Sequence, residues 1–247
     1  WTNRTGQVSM KERVAFIEVE HDSPSLTVFN IVDTPGLNAY HGVDSKNTVE
    51  FLNSMRPDAV ILLFTKSIAQ RTVELIKTFQ GPLLNEMTPV NAIGVLSKVD
   101  NYWPSEPDPI FAGQRVSERL FNEEPAVKNT LYQLYPVCAG LALGARTINE
   151  TDIESFNKLA KIEKVSLRRL LSTVDRFEAE DVMLSVSSNE RKRLVRKFTR
   201  YGIACAIEFI KSNGTLTISQ LSGFLLKKSG FDHFFESLVR HFGNRAY

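Results

Sequence analysis

The sequence predicts an α/β fold, a mostly parallel sheet flanked by helices and followed by a helical C-terminal part. Three observations carry that prediction. From residue 26 onward, strand-length apolar runs alternate with segments of helical spacing. One run, DAVILLFT at 58–65, is apolar almost without interruption, as in strands buried on both faces. From about Glu154 only helical periodicity follows. Strands that alternate with helices in this order favour a parallel sheet with right-handed crossovers.

The elements are expected as follows. Residues 12–20, ERVAFIEVE, alternate over Val14, Phe16 and Val19 as a half-covered strand does, and HDSPS makes a turn to a second strand, LTVFNIV at 26–32. After DTPGL and a polar loop, TVEFLNSM places Val49, Leu52 and Met55 at helical spacing. The apolar strand 58–65 is followed by a helix over 70–79 with Val73, Ile76 and Phe79 on one side. NAIGVLSKVD, 91–100, is a further apolar strand that ends in polar residues. Residues 114–124 and AVKNTLYQL predict helix, and YPVCAG at 135–140 a short strand. FNKLAKIEKVSLRRLLSTVDRF then carries Leu159, Ile162, Val165, Leu170 and Val174 as one helical stretch. A second long helix, from Asn189 and Glu190 to Gly214, and two shorter ones complete the chain, either packed on the sheet or standing beside it. The organisation expected is a sheet domain over 12–150 and a helical extension over 151–247.

Composition limits the function classes. With 247 residues, 43% hydrophobic and 23% charged, the chain can bury a sizeable core. A formal charge of +2 gives no global field for nucleic acid or an anionic membrane. The densest local run, RKRLVRK at 191–197, is expected to spread its charges around a helix as a solvated surface, with Leu194, Val195 and Phe198 inward. Phe224, Phe231, Phe234, Phe235 and Phe242 suit a packing seam better than a base-stacking platform. Cys138 and Cys205 lie in apolar contexts and are expected to be buried, reduced thiols, while the four scattered histidines make no zinc pattern. A start at Trp1, without methionine or signal-peptide pattern, suggests a processed, truncated or partly observed chain.

Ligands of open α/β sheets bind at the carboxyl ends of the strands, and the polar signatures collect there. In VFNIVDTPGL, 28–37, the strand ends on Asp33, and Gly36 follows. A carboxylate in that place can hold a water of bound Mg²⁺, which keeps most of its waters. A glycine amide can approach a terminal phosphate oxygen closely. SKVD, 97–100, also ends a buried strand. There the Asp100 carboxylate can accept the N1–H and the exocyclic amine of guanine, a pair of donors that adenine lacks. The Lys98 stem can cover the ring with its methylenes. After the next strand, the amides of Cys138, Ala139 and Gly140 can donate to the guanine oxygen. Each signature is weak alone, and the order of the three carries the information.

VDTPGLN followed by SKVD and then VCAG resembles the third, fourth and fifth guanine-binding motifs of the translation-factor-like GTPases. With the upstream hairpin, the helical tail and the closing KKSGFDHFFESLVRHFGNRA, the chain resembles the bacterial dynamin-like GTPases in particular. The motifs cover about 12–145, and over 155–247 the likeness is one of helical patterning. The resemblance implies a GTPase-type sheet with GTP or GDP and Mg²⁺ as cofactors. It makes Asp33 the aspartate on the metal's water, Gly36 the γ-phosphate amide, and Thr34 to Asn38 the start of the second switch. Ser97, Lys98 and Asp100, with Cys138, Ala139 and Gly140, then hold the base. Ser97 stands where the family has Asn or Thr, and its hydroxyl can tie neighbouring loops while replacing an amide poorly. Hydrolysis of GTP to GDP and phosphate, coupled to conformational change and membrane remodelling, is implied for the parent protein. So are homo-oligomers, a cytoplasmic location that reaches the inner face of a membrane through regions outside this chain, and no nucleic-acid partner. No catalytic base is nominated, since His41 suits a solvated loop.

One departure limits the expectation. GxxxxGK[ST] is absent from the sequence, so the phosphate cradle and its lysine are missing. Each charge-assisted hydrogen bond lost with it is worth about 1.5 to 3 kcal/mol. This chain alone is therefore expected to bind GTP weakly and to hydrolyse it negligibly. The open sheet edge is expected to be covered by an upstream segment of the same protein or by a second chain. The alternative expectation is a nucleotide-independent scaffold in which the sheet serves as an interaction domain.

Overall fold

The computed structural model describes Val19 and residues 30–33, 59–65, 89–214 and 216–243. Two compact units divide the chain, Trp1–Thr48 and Val49–Tyr247.

In the first unit, residues 30–33 lie outside any helix or strand and are exposed, with Ile31 at 74% and Val32 at 56%. This corrects the buried strand expected to end at Val32. Strand pairings among the described residues do not include residues 30–32, and an unpaired stretch does not carry its apolar side chains into a core. The rest of the hairpin, the helices expected over 48–55 and 70–79 and the turn after Asp33 lie outside the described residues.

The second unit is α/β. Three strands, β1 (Val60–Phe64), β2 (Ala92–Ser97) and β3 (Leu134–Val137), pair in parallel in the order β1-β2-β3. Val60 lies opposite Ala92, and Gly94 opposite Leu134. Helix α1 (Pro109–Glu123) starts on an Asp108 cap with proline in its first turn, where the missing amide costs nothing. Glu124 and Pro125 then turn the chain into α2 (Pro125–Thr130), which leads to β3. Both β2 and β3 are buried along nearly their whole length. Strand β1 is different: Ile61 and Leu63 remain 41% and 68% exposed, so the two-faced burial expected for DAVILLFT holds at Phe64 and fails on that face.

Of the two arrangements open for the helical part, the structure has the packed one. Helices α3 (Ala139–Arg146), α4 (Glu150–Ala160), α5 (Lys164–Leu170), α6 (Val174–Glu178), α7 (Ser188–Asn213) and α8 (Ile218–Lys228) share one core with the sheet, and α9 (Phe231–Phe242) meets β3 where the Phe234 and Tyr135 rings lie 5.9 Å apart. The single helix expected over 156–177 is three short ones, because Glu163 and Thr173 each accept amide bonds that open a new helix. α7 begins at a capping box in which Ser187 and Glu190 satisfy each other's backbone amides. Phe156 and Phe198, both fully buried, meet edge to face at 5.1 Å and join α4 to α7. The phenylalanines near the C-terminus make a seam, with Phe209 stacked on Phe224 at 4.0 Å and Phe231 on Phe235 at 5.8 Å. No helix among the described residues is long and apolar enough to cross a membrane.

Candidate functional site

The register Ser97 opposite Val137 brings the ends of β2 and β3 side by side, so the residues that follow each strand enter the same place. Ser97 donates its hydroxyl to the Phe64 carbonyl at 2.9 Å, which ties the end of β2 to the end of β1. Lys98 follows in the left-handed region at φ 56°, exposed, and opens a 3-10 turn, Val99–Tyr102, that holds the half-buried Asp100. A lysine tolerates that backbone only where its neighbours hold it there. Here Ser97 holds one side, and the Val99 side chain, fully buried, holds the other.

The Asp100 carboxylate stands close enough to the Cys138 thiol for its charge to act on it. Burial, and then the charge of Asp100, push the Cys138 thiol far up from its ordinary range, while the Leu141 amide and the Thr199 hydroxyl act in the opposite direction. The amide of Cys138 is engaged as well: it donates to the carbonyl of buried Ser229 at 2.8 Å. That corrects the expectation that this amide serves the base. Ala139 and Gly140, exposed at the start of α3, keep amides with no intrahelical acceptor. The ends of β2 and β3 therefore present a carboxylate, two amides without intrahelical acceptors and the exposed Lys98.

The other sequence-nominated residues fall elsewhere. Asp33 is exposed in the Trp1–Thr48 unit. Thr34 and Gly36 lie outside the described residues. Among the described residues no group of three or more metal-ligating side chains comes together.

Two curated proteins resemble the chain: "Isoniazid-induced protein IniC" of Mycobacterium tuberculosis strain CDC 1551 / Oshkosh and its counterpart in strain ATCC 25618 / H37Rv. Each is 30% identical over 203 residues, which is 81% of this chain and 41% of the relative. The chain thus spans about two fifths of the length of the curated relatives it matches. No family model matches the chain, and no solved structure does.

Sequence reasoning missed the third wall of the site, the middle of α7. Thr199 there has φ 60° and ψ 167°, a break inside an otherwise helical run. Its methyl group approaches the position a Cβ on Gly140 would take to within 3.3 Å. Its hydroxyl is buried against Cys138 with no hydrogen bond of ordinary geometry. One residue on, Arg200 sets its guanidinium 5.8 Å from the Trp103 ring, just past the Asp100 turn, and donates to the carbonyls of Leu171 and Ser172. Two residues before Thr199, the Lys197 carbonyl would lie 2.2 Å from a Cβ on Gly144, so α3 and α7 touch backbone to backbone. Threonine in a helical pattern has no signature that distinguishes a kink, and the pairing of Gly144 with Lys197 is visible only once the helices cross.

Proposed function

We propose that this chain is the base-reading half of a guanine-nucleotide site in a dynamin-like GTPase, whose whole form hydrolyses GTP to GDP and phosphate and couples that step to movement of its helices. The observation that carries it is the meeting of Asp100 with Cys138, Ala139 and Gly140 at adjacent carboxyl ends of a parallel sheet. That is the crevice in which open α/β sheets bind nucleotides. Similarity to IniC over most of the chain supports a related role, and the rest of the whole protein's activity belongs to the same proposal.

Within this reading Asp100 accepts the two guanine donors, the amides of Ala139 and Gly140 face the ring oxygen, and Lys98 covers the base. Asp33 would hold a water of Mg²⁺, which supplies charge neutralisation at the phosphates when bound. Because Thr199 and Arg200 touch both base loops, a shift of α7 and the occupancy of the site bias each other. Homo-oligomers, cover from another segment or a second chain for the edge of β1 that is unpaired among the described residues, and peripheral membrane contact are further parts of the proposal.

The test is competition between GDP and ADP for this chain, followed by titration calorimetry with GTP and Mg²⁺. A preference for GDP of about tenfold or more is expected, the worth of one unpaired charged hydrogen bond. GTP is expected to bind more weakly than micromolar, with no measurable turnover. Equal affinity for GDP and ADP would overturn the nucleotide reading and leave the scaffold. Sub-micromolar GTP binding would overturn only the expectation that the missing phosphate cradle disables the chain.

A further inference from the structure

The basic run singled out in the sequence does not spread around its helix. Arg191 turns inward, 1% exposed, and donates to the carbonyls of Phe177, Val186 and Ala179, where it closes the C-terminal end of α6. The other members, Lys192, Arg193, Arg196 and Lys197, share one face with Asn189 and line an open cleft of about 430 Å³. Their spacing, i, i+3, i+4, i+7 and i+8, is that of a single helical stripe.

The cleft is more than a solvated surface for three reasons. First, two of its cations are anchored: Asp152, 0% exposed and already capping α4 through the Asn149 amide, accepts Arg193 and also Lys197 at 2.6 Å. A guanidinium and an ammonium held by a buried carboxylate are already ordered when a ligand arrives. Second, the cations outnumber their partners. Among the described residues Lys192 pairs only with Glu180, exposed and 3.6 Å away, and Glu190, the other carboxylate near Arg193, is spent on the Ser187 hydroxyl and amide. Arg196 is exposed and makes no ion pair among the described residues, and Lys158 adds a further positive charge near Glu190. Third, Nη2 of Arg193 is buried without a hydrogen-bond partner. Like charges at Lys192 and Arg196, and at Arg193 and Lys197, stand four residues apart on one helix, where they repel. An anion in the cleft relieves that repulsion and satisfies the orphaned donor.

We infer that this cleft is a binding site for a phosphate group, either free or carried on a lipid headgroup. A doubly charged tetrahedral oxyanion offers enough acceptor oxygens for Nη2 of Arg193, the Arg196 fork and the Lys192 ammonium together, where a carboxylate offers two. The site owes nothing to the nucleotide reading, since none of its residues belongs to the base loops.

The experiment uses the 247-residue chain, with Lys192→Ala/Arg196→Ala as the principal variant and Arg196→Gln as a milder one. Neither of these positions is buried, so both variants are expected to melt within a degree or two of the parent. Pyrophosphate is titrated at ionic strength held constant with chloride, and sedimentation is measured with phosphatidylcholine vesicles, with and without phosphatidylglycerol. A free-phosphate site shows saturable pyrophosphate binding that weakens about tenfold or more in the double variant, with both vesicle types left in solution. A headgroup site shows sedimentation only with phosphatidylglycerol, lost in the double variant and reduced in Arg196→Gln. The inference is overturned if the parent chain binds neither probe, or if Arg196→Gln and a normally melting double variant bind as the parent does.

Discussion

At the scale of single residues, Thr199 carries the most information. A β-branched residue at φ 60°, ψ 167° occupies a region that only glycine visits freely, at a cost on the order of 1 to 3 kcal/mol. It persists because Leu194 and Phe198 before it and Tyr201 and Ile203 after it are all buried, so both halves of α7 are anchored. Replacing Thr199 with glycine removes the strain and adds about 0.5 to 1 kcal/mol of chain entropy, for a net gain of roughly 1 kcal/mol. A higher denaturant midpoint at unchanged slope is the expected readout. A lower midpoint would show that the methyl contact with Gly140 outweighs the strain. The thiols belong to the same scale. Both cysteines are free and buried, as the apolar contexts predicted, and burial pushes the Cys205 thiol from an ordinary 9.0 up to about 11. A raised thiol pKa means that the folded form holds the proton more tightly. Its contribution to stability is full below pH 9 and is lost as the pH rises through about 11. At pH 8 the native chain should therefore react slowly with a thiol reagent and the unfolded chain rapidly. Prompt labelling of a native thiol would contradict the burial.

At the scale of elements, the contact of α3 with α7 decides how firmly the loops that follow β2 and β3 are held. Gly144 leaves no room for a side chain, because a Cβ would fall 2.2 Å from the Lys197 carbonyl and 2.9 Å from the Phe198 ring. Gly144→Ala must push the two helices apart, and overpacking of this kind costs about 1 to 3 kcal/mol. A lower melting temperature together with weaker GDP binding is expected, since α3 begins at Ala139 and Gly140. Unchanged melting would mean that the two helices do not touch so closely. Strand ends were the legible part of the site. An apolar run closed by polar residues marks where a buried strand surfaces, and SKVD and VCAG both proved to do so, side by side. Helix breaks were less legible, although Thr173 with Asp175 two residues later is a capping pattern open to reading. Arg191 was read wrongly with its neighbours because composition cannot tell which arginine of a basic run finds three carbonyls to satisfy it.

At the scale of the whole molecule, the helices after residue 150 complete the sheet domain. The Ser229 carbonyl takes the Cys138 amide, and Gly230, at φ 72°, passes so close to the Pro136 carbonyl that a Cβ would sit 2.5 Å from it. The His241 ring likewise lies 3.1 Å from the carbonyls of Pro89 and Val90 and stacks on Tyr132. Long-range closures of this kind have no local signature, which is why the packed and the free-standing arrangements stayed equally open from sequence. Their consequence is that the base loops, the kinked α7 and the C-terminal turn form one packed body. The most direct measurement of its role is the base preference of Asp100→Asn. Xanthine carries an oxygen where guanine carries its exocyclic amine, so an amide side chain matches xanthine as a carboxylate matches guanine. The parent chain should prefer GDP to XDP, and Asp100→Asn should reverse that order with its melting temperature little changed. The same preference in both proteins would contradict the assignment of Asp100 to the base.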